Sequence, residues 1–141
     1  MKEAARLENY NLIVDSGYRS YNYQLEILMN RIKKDGDKAY NYVALPGASE
    51  HQTGLAFDVA FYRGENYIDE FDDIFSEIIW LHENCYKYGF ILRYPKGKED
   101  ITGFNYECWH FRYVGKQLAL EMHENNIQTL EEYYLSFDKR R

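Results

Sequence analysis

Seven residues, LAFDVAF (55–61), constrain this chain more than any other stretch. Their alternation predicts a β-strand, with Leu55, Phe57, Val59 and Phe61 on one face and Ala56, Asp58 and Ala60 on the other. A carboxylate flanked by two alanines on a strand face must be solvated, paired or metal-bound, because burying it alone is costly. His51 lies a loop away, and Gly54 between them permits a tight backbone path.

The remaining pattern surrounds that strand with helices. Residues 2–9 read as a short helix, and NLIV (11–14) as a β-prone run ending in the turn Asp15-Ser16-Gly17. Leu25, Leu28, Met29 and Ile32 recur at helical spacing and predict a helix from Tyr21 to Lys34. KKDGDK and LPGAS make loops. Phe71, Ile74, Phe75, Ile78, Leu81 and Cys85 predict the longest helix, over 69–88, with Gly89 as its C-terminal cap. FIL (90–92) and CWHFRYV (108–114) are strands separated by the polar loop RYPKGKEDITGFNY. Helices follow from Lys116 to Asn125 and from Thr129 to about Leu135. Few strands among several helices imply an α+β fold: a small, mainly antiparallel sheet with packed helices. A chain of 141 residues, 45% hydrophobic and 28% charged, suits one globular domain spanning 1–141. A net charge of −6 argues against a nucleic-acid partner, which needs a basic face. No apolar run approaches the roughly 18 residues of a membrane span. The opening MKEAARLENYNLIV lacks the apolar core of a signal peptide and reads like the inside of a helix, which suits a piece of a longer protein. Two cysteines, Cys85 and Cys108, make no disulfide framework; Cys85 is expected in the core.

A second constellation lies in ECWH (107–110), which sets Glu107 three residues before His110. Residues three apart on a strand face opposite ways, so Glu107 is expected at the mouth of the strand and His110 within it. Two histidines and a carboxylate can hold zinc and leave a fourth position for water, and a further carboxylate can take that water's proton. His51, Asp58 and His110 could supply the ligands, and Glu107 the base. On spacing alone this stands beside a plain structural reading of the same histidines. His82 and His123 have no carboxylate company and read as surface or boundary residues.

Three ordered blocks go further: SGYRSYNYQ (16–24), PGASEHQTGLAFDVA (46–60) and ECWHFRYVG (107–115). They resemble the signature blocks of the VanY-type D-alanyl-D-alanine carboxypeptidases, zinc metallopeptidases related to L,D-carboxypeptidases, D,D-dipeptidases, phage endolysin peptidases and the hedgehog signalling domain. The pattern Ser-x-His-x-x-Gly-x-Ala-x-Asp is met by Ser49, His51, Gly54, Ala56 and Asp58, and Glu-x-Trp-His by Glu107, Trp109 and His110. The resemblance runs from about Leu12 to Tyr134. It implies zinc (Zn2+) at the sheet, held by His51, Asp58 and His110, with Glu107 as catalytic base. Arg19 matches an arginine that reaches the substrate near the scissile carbonyl or its terminal carboxylate, and guanidinium suits either. Gln24 and Ser49 match polar residues lining the same pocket; Arg93 and Tyr94 either border it or form a structural pair. One departure is Cys108, where the family commonly has proline. The implied reaction releases the C-terminal D-alanine from a peptidoglycan stem peptide or precursor. Sister activities on the same scaffold, and a zinc-binding module without turnover, are the alternatives. The implied protein acts outside the cytoplasm or at the cell wall, and as a monomer.

Overall fold

The computed structural model describes residues 1–138; positions 139–141 of the expected domain lie outside them. Helix α1 (Lys2–Leu7) leads into β1 (Asn11–Ser16), and α2 follows (Tyr21–Asp35). Ser20 caps α2 by accepting from the Tyr23 amide (3.2 Å), which satisfies one of the free donors of the first turn. Two 3₁₀ segments, Gly36–Asn41 and Glu50–Thr53, lie before β2 (Ala56–Arg63) and β3 (Asn66–Ile68). Then come α3 (Ser76–Asn84), β4 (Phe90–Tyr94), α4 (Glu99–Thr102), β5 (Glu107–Tyr113), α5 (Lys116–Glu124) and α6 (Leu130–Asp138). The architecture is α+β, and every strand pair is antiparallel. The order is β1-β2-β5-β4, with β3 paired to the far end of β2. No helix among the described residues is long and apolar enough to cross a membrane.

The alternation in β2 divides the sheet into an apolar face and a polar one. Val59 and Phe61 are buried in the main core with Phe111 of β5, Ile78 and Leu81 of α3, and Leu12 of β1. Phe57 lies opposite Phe111 in the register and stacks on it at 5.5 Å. Asp58 pairs with His110 across the same two strands, on the other face. Arg63 at the end of β2 holds the buried Glu77 of α3 with two parallel hydrogen bonds (2.8 and 2.7 Å), which anchors the helix to the sheet. A second apolar cluster, built on Ile91, Ala119, Met122 and Tyr133, seats α5 and α6 against β4.

Three expectations need correction. The helix expected over 69–88 begins only at Ser76 and gives way to a 3₁₀ turn at Cys85–Tyr88. The Asp72 side chain accepts from the Ile74 amide (3.3 Å), a local turn that competes with helix, and Phe75 becomes the N-cap. Phe71 and Phe75 still pack on Phe61, at 5.1 and 5.5 Å, whereas Ile74 is exposed. In α2, Leu25 and Met29 are exposed, and the buried positions are Gln24 and Leu28. The polar loop before β5 contains the short helix α4.

Gly89 joins the 3₁₀ turn to β4 with φ +88. An added Cβ would lie 2.8 Å from the Tyr113 ring and 3.0 Å from the Lys116 backbone nitrogen. Gly89→Ala is therefore expected to destabilise the fold by at least about 1–2 kcal/mol from the left-handed backbone alone, with the clash added. Urea or thermal denaturation checks this, and an unchanged midpoint would contradict it.

Candidate active site

Three backbone features converge on the polar face of β2. The β1–β2 register breaks between Val14 and Ser16, beside Asp58, and the chain then turns through Gly17 towards Arg19. The 3₁₀ segment Glu50–Thr53 presents His51 and ends at Gly54, whose φ of +72 lets the chain turn directly into β2. The third feature lies in β5. Leu92 pairs with Phe111, but Tyr94 pairs with Glu107, so β5 fits two extra residues into that interval. This irregularity answers the question of facing. Glu107 opens the strand as expected, yet it turns to the same side as His110, with Oε2 3.5 Å from His110 Nδ1.

His51, Asp58 and His110 each offer a ligand atom, and these atoms lie within 4.8 Å of one another. Asp58 Oδ1 is 3.3 Å from His51 Nε2 and 3.2 Å from His110 Nδ1. The ring of His51 is oriented from behind. Its Nδ1 lies 2.7 Å from the Gly17 carbonyl oxygen, which can only accept, so Nδ1 carries the proton and Nε2 presents a lone pair to the centre. The His51 carbonyl in turn accepts from the Arg19 amide (3.2 Å). His51 Nε2 and Asp58 Oδ1 are buried with no hydrogen-bond partner. Inward-facing lone pairs left without a partner in this way are what a divalent cation would satisfy, and two imidazoles with one carboxylate suit zinc.

Electrostatics agrees with that fit. Burial by itself raises the Asp58 carboxyl, but its close contacts with His110 and His51 outweigh it and hold the group well below the usual carboxylate range. Burial would lower His110, yet its contacts with Asp58 and Glu50 push it up to about 9. The centre thus favours positive charge, and a bound cation would take the place of that proton. Glu107 is the opposite case. Burial, reinforced by the charges of Asp58 and Glu50, pushes its carboxyl up to about 7 against the pull of His110 and Arg19.

The centre opens onto a cavity of about 320 Å³. Arg19, Gln24, Ser49, Glu107 and all three candidate ligands line it. The Arg19 guanidinium donates through Nε to Ser16 Oγ (2.8 Å) and through a terminal nitrogen to Asp58 Oδ2. Gln24 is buried, donating to the Ala44 carbonyl (2.9 Å). Tyr94 lies in the wall, its ring 4.9 Å from that of His110, while Arg93 sits behind it. Cys108 points away into the core, near the Phe71 carbonyl, and burial pushes its thiol up to about 12. His82 and His123 do not join the site: one contacts the Cys108 carbonyl, and the other is exposed and stacks on Tyr86.

Two charged residues of the cavity escape sequence reasoning. Arg31 lines the cavity on the same helical face as Gln24 and Ile27, the i, i+3, i+7 spacing that could have revealed it. Glu50, next to His51, receives Arg93 Nε (2.7 Å) and a terminal nitrogen of Arg112 (3.0 Å). Burial opposes its charge, but the His110 contact and both arginines bring its carboxyl down to about 2.

The chain resembles proteins of known sequence and structure. The chain is 48% identical over 135 residues to YodJ of Bacillus subtilis, covering 95% of this chain and 49% of that protein, so it spans about half of that relative's length. Its fold matches the LdcB LD-carboxypeptidase with a TM-score of 0.78 at 47% identity, over 94% of this chain and 62% of that one. It also matches a vancomycin-resistance D,D-pentapeptidase, VanY, in complex with Zn(II): TM-score 0.80, 36% identity, 95% of this chain and 76% of that one. The family model described as VanY, D-alanyl-D-alanine carboxypeptidase, matches residues 1–116, and the chain accordingly belongs to that family.

Proposed function

We propose that this chain is a zinc-dependent D-alanyl-D-alanine carboxypeptidase domain, with 1–141 as one catalytic unit. The carrying observation is the cluster of buried, inward-facing donors on His51, Asp58 and His110, set beside the buried Glu107 at the head of a cavity. Zinc held there would supply a Lewis acid for the scissile carbonyl and an activated water. Glu107 takes the nucleophile's proton at Oε2 and later gives it to the leaving amine, the work of a positioned acid–base group. Arg19 is braced by Ser16 and Asp58, and its remaining terminal nitrogen is available to a substrate oxygen. Gln24 and Ser49 help define the wall against which the substrate lies. No nucleophilic side chain is required, so Ser49 binds rather than attacks.

The substrate in this reading is a peptidoglycan stem peptide or its precursor, and the protein acts alone, outside the cytoplasm or at the cell wall. An L,D-carboxypeptidase is the second reading, because identity to LdcB (47%) exceeds that to the zinc-bound VanY (36%). Mass spectrometry of digested muropeptides separates the two. Loss of one alanine from pentapeptide stems is expected; loss only from tetrapeptide stems would favour the second reading.

Glu107→Gln keeps shape and removes the basic carboxylate. It is expected to bind zinc at wild-type stoichiometry and to lose turnover by ~10²–10⁴-fold. His110→Ala should lose metal and activity together. Metal analysis and rates on both variants check this; zinc loss in Glu107→Gln would make Glu107 a ligand instead.

The substrate's free C-terminal carboxylate should matter, given Arg19 and Ser49 in the pocket. Amidating a pentapeptide terminus is expected to lower kcat/KM roughly ten- to a hundredfold, the loss of one charge-assisted contact. Equal cleavage of acid and amide would indicate an endopeptidase.

A further inference from the structure

We infer that Glu50 is the positioning residue for His110, and that the Arg93 bridge ties this support to helix α6. The inference rests on the zinc reading above and concerns how one of its ligands is held.

His110 faces carboxylates through both ring nitrogens. Nδ1 looks into the centre, towards Asp58 Oδ1 at 3.2 Å. Nε2 looks out of it, with Glu50 Oε2 3.5 Å away. Both of these outward atoms are buried, and neither has another hydrogen-bond partner. A buried donor and a buried acceptor, facing one another at the long limit of a hydrogen bond, satisfy each other with a few tenths of an ångström of movement. The carboxylate is oriented for this. Its other oxygen, Oε1, takes Arg93 Nε (2.7 Å) and an Arg112 terminal nitrogen (3.0 Å), which turns Oε2 towards the imidazole. A carboxylate on the far nitrogen of a metal-bound histidine fixes the ring's tautomer and raises its basicity.

Glu50 does not stand alone. Arg93 holds it with Nε and spends both terminal nitrogens on the two oxygens of Glu131 (3.0 and 2.6 Å). The planar guanidinium thus joins a carboxylate beside the centre to one on α6. Two arginines and two glutamates balance in charge, so the network can be buried without a leftover ion.

The test compares wild type, Glu50→Gln, Arg93→Lys and Glu131→Gln. Zinc dissociation constants are measured by chelator competition, the visible spectrum is recorded after cobalt substitution, and thermal melting is followed without metal. Glu50→Gln is expected to bind zinc about 10–100-fold more weakly and to shift the cobalt bands. Arg93→Lys, which keeps the charge but loses the planar fork that spans Glu50 and both oxygens of Glu131, should move both readouts the same way, and Glu131→Gln should do so by less. A purely structural role would lower the melting temperature and leave zinc affinity and cobalt spectrum at wild-type values; that result overturns the inference. If Glu50→Gln fails to fold, Arg93→Lys decides by the same two readouts. A wild-type chain that binds no zinc would instead overturn the zinc reading beneath it.

Discussion

Asp58 is a carboxylate held in the middle of a sheet, and the geometry of the centre follows from the need to satisfy it. Removing such a charge from water costs several kcal/mol unless it is well paired. Its partners come from three separate parts of the chain: Arg19 after β1, His51 before β2, and His110 on β5. Arg19 and His51 reach it through departures from regular backbone, a register break and a 3₁₀ turn, while His110 faces it directly in the regular register of β2 and β5. The apolar face of the same strands is regular and densely aromatic, with Phe57, Phe61 and Phe111 at its centre. The packed face supplies rigidity beneath the candidate site.

Much of this was legible in the sequence, for identifiable reasons. Alternation over 55–61 announces the strand found at Ala56–Arg63, and Asp58 stands out as the wrong residue on an alanine face. Spacing to carboxylates makes His51 and His110 candidates, and the family resemblance selects them as ligands and adds Arg19, Gln24 and Ser49; all five line the cavity. The illegible parts are those where non-local contacts overrule local pattern. Phe71 and Phe75 carry helical spacing but pack on Phe61 from a turn. Leu25 and Met29 look like a core stripe, yet α2 turns Gln24 and Arg31 to the cavity. Glu50 reads as one more surface acid until β4 and β5 bring Arg93 and Arg112 to it. The irregular pairing of β5 with β4 between Glu107 and Phe111 has no sequence mark of its own.

The cavity combines two kinds of wall. One side carries the ionisable groups on β2 and β5, and the other is the face of α2 with Gln24, Ile27 and Arg31. A site on paired strands is fixed closely because its groups move with the sheet. A wall on a helix joined to the sheet through loops can shift as a body, so differences among relatives in what they accept are more readily made on α2 than on the strands.

The two histidines differ in what stands behind them. His51 is oriented by the carbonyl of Gly17, a main-chain atom that no side-chain substitution deletes. His110 faces side chains on both nitrogens. Point mutation can therefore erode or tune the His110 side one atom at a time, while the His51 side changes only if the turn itself is rebuilt.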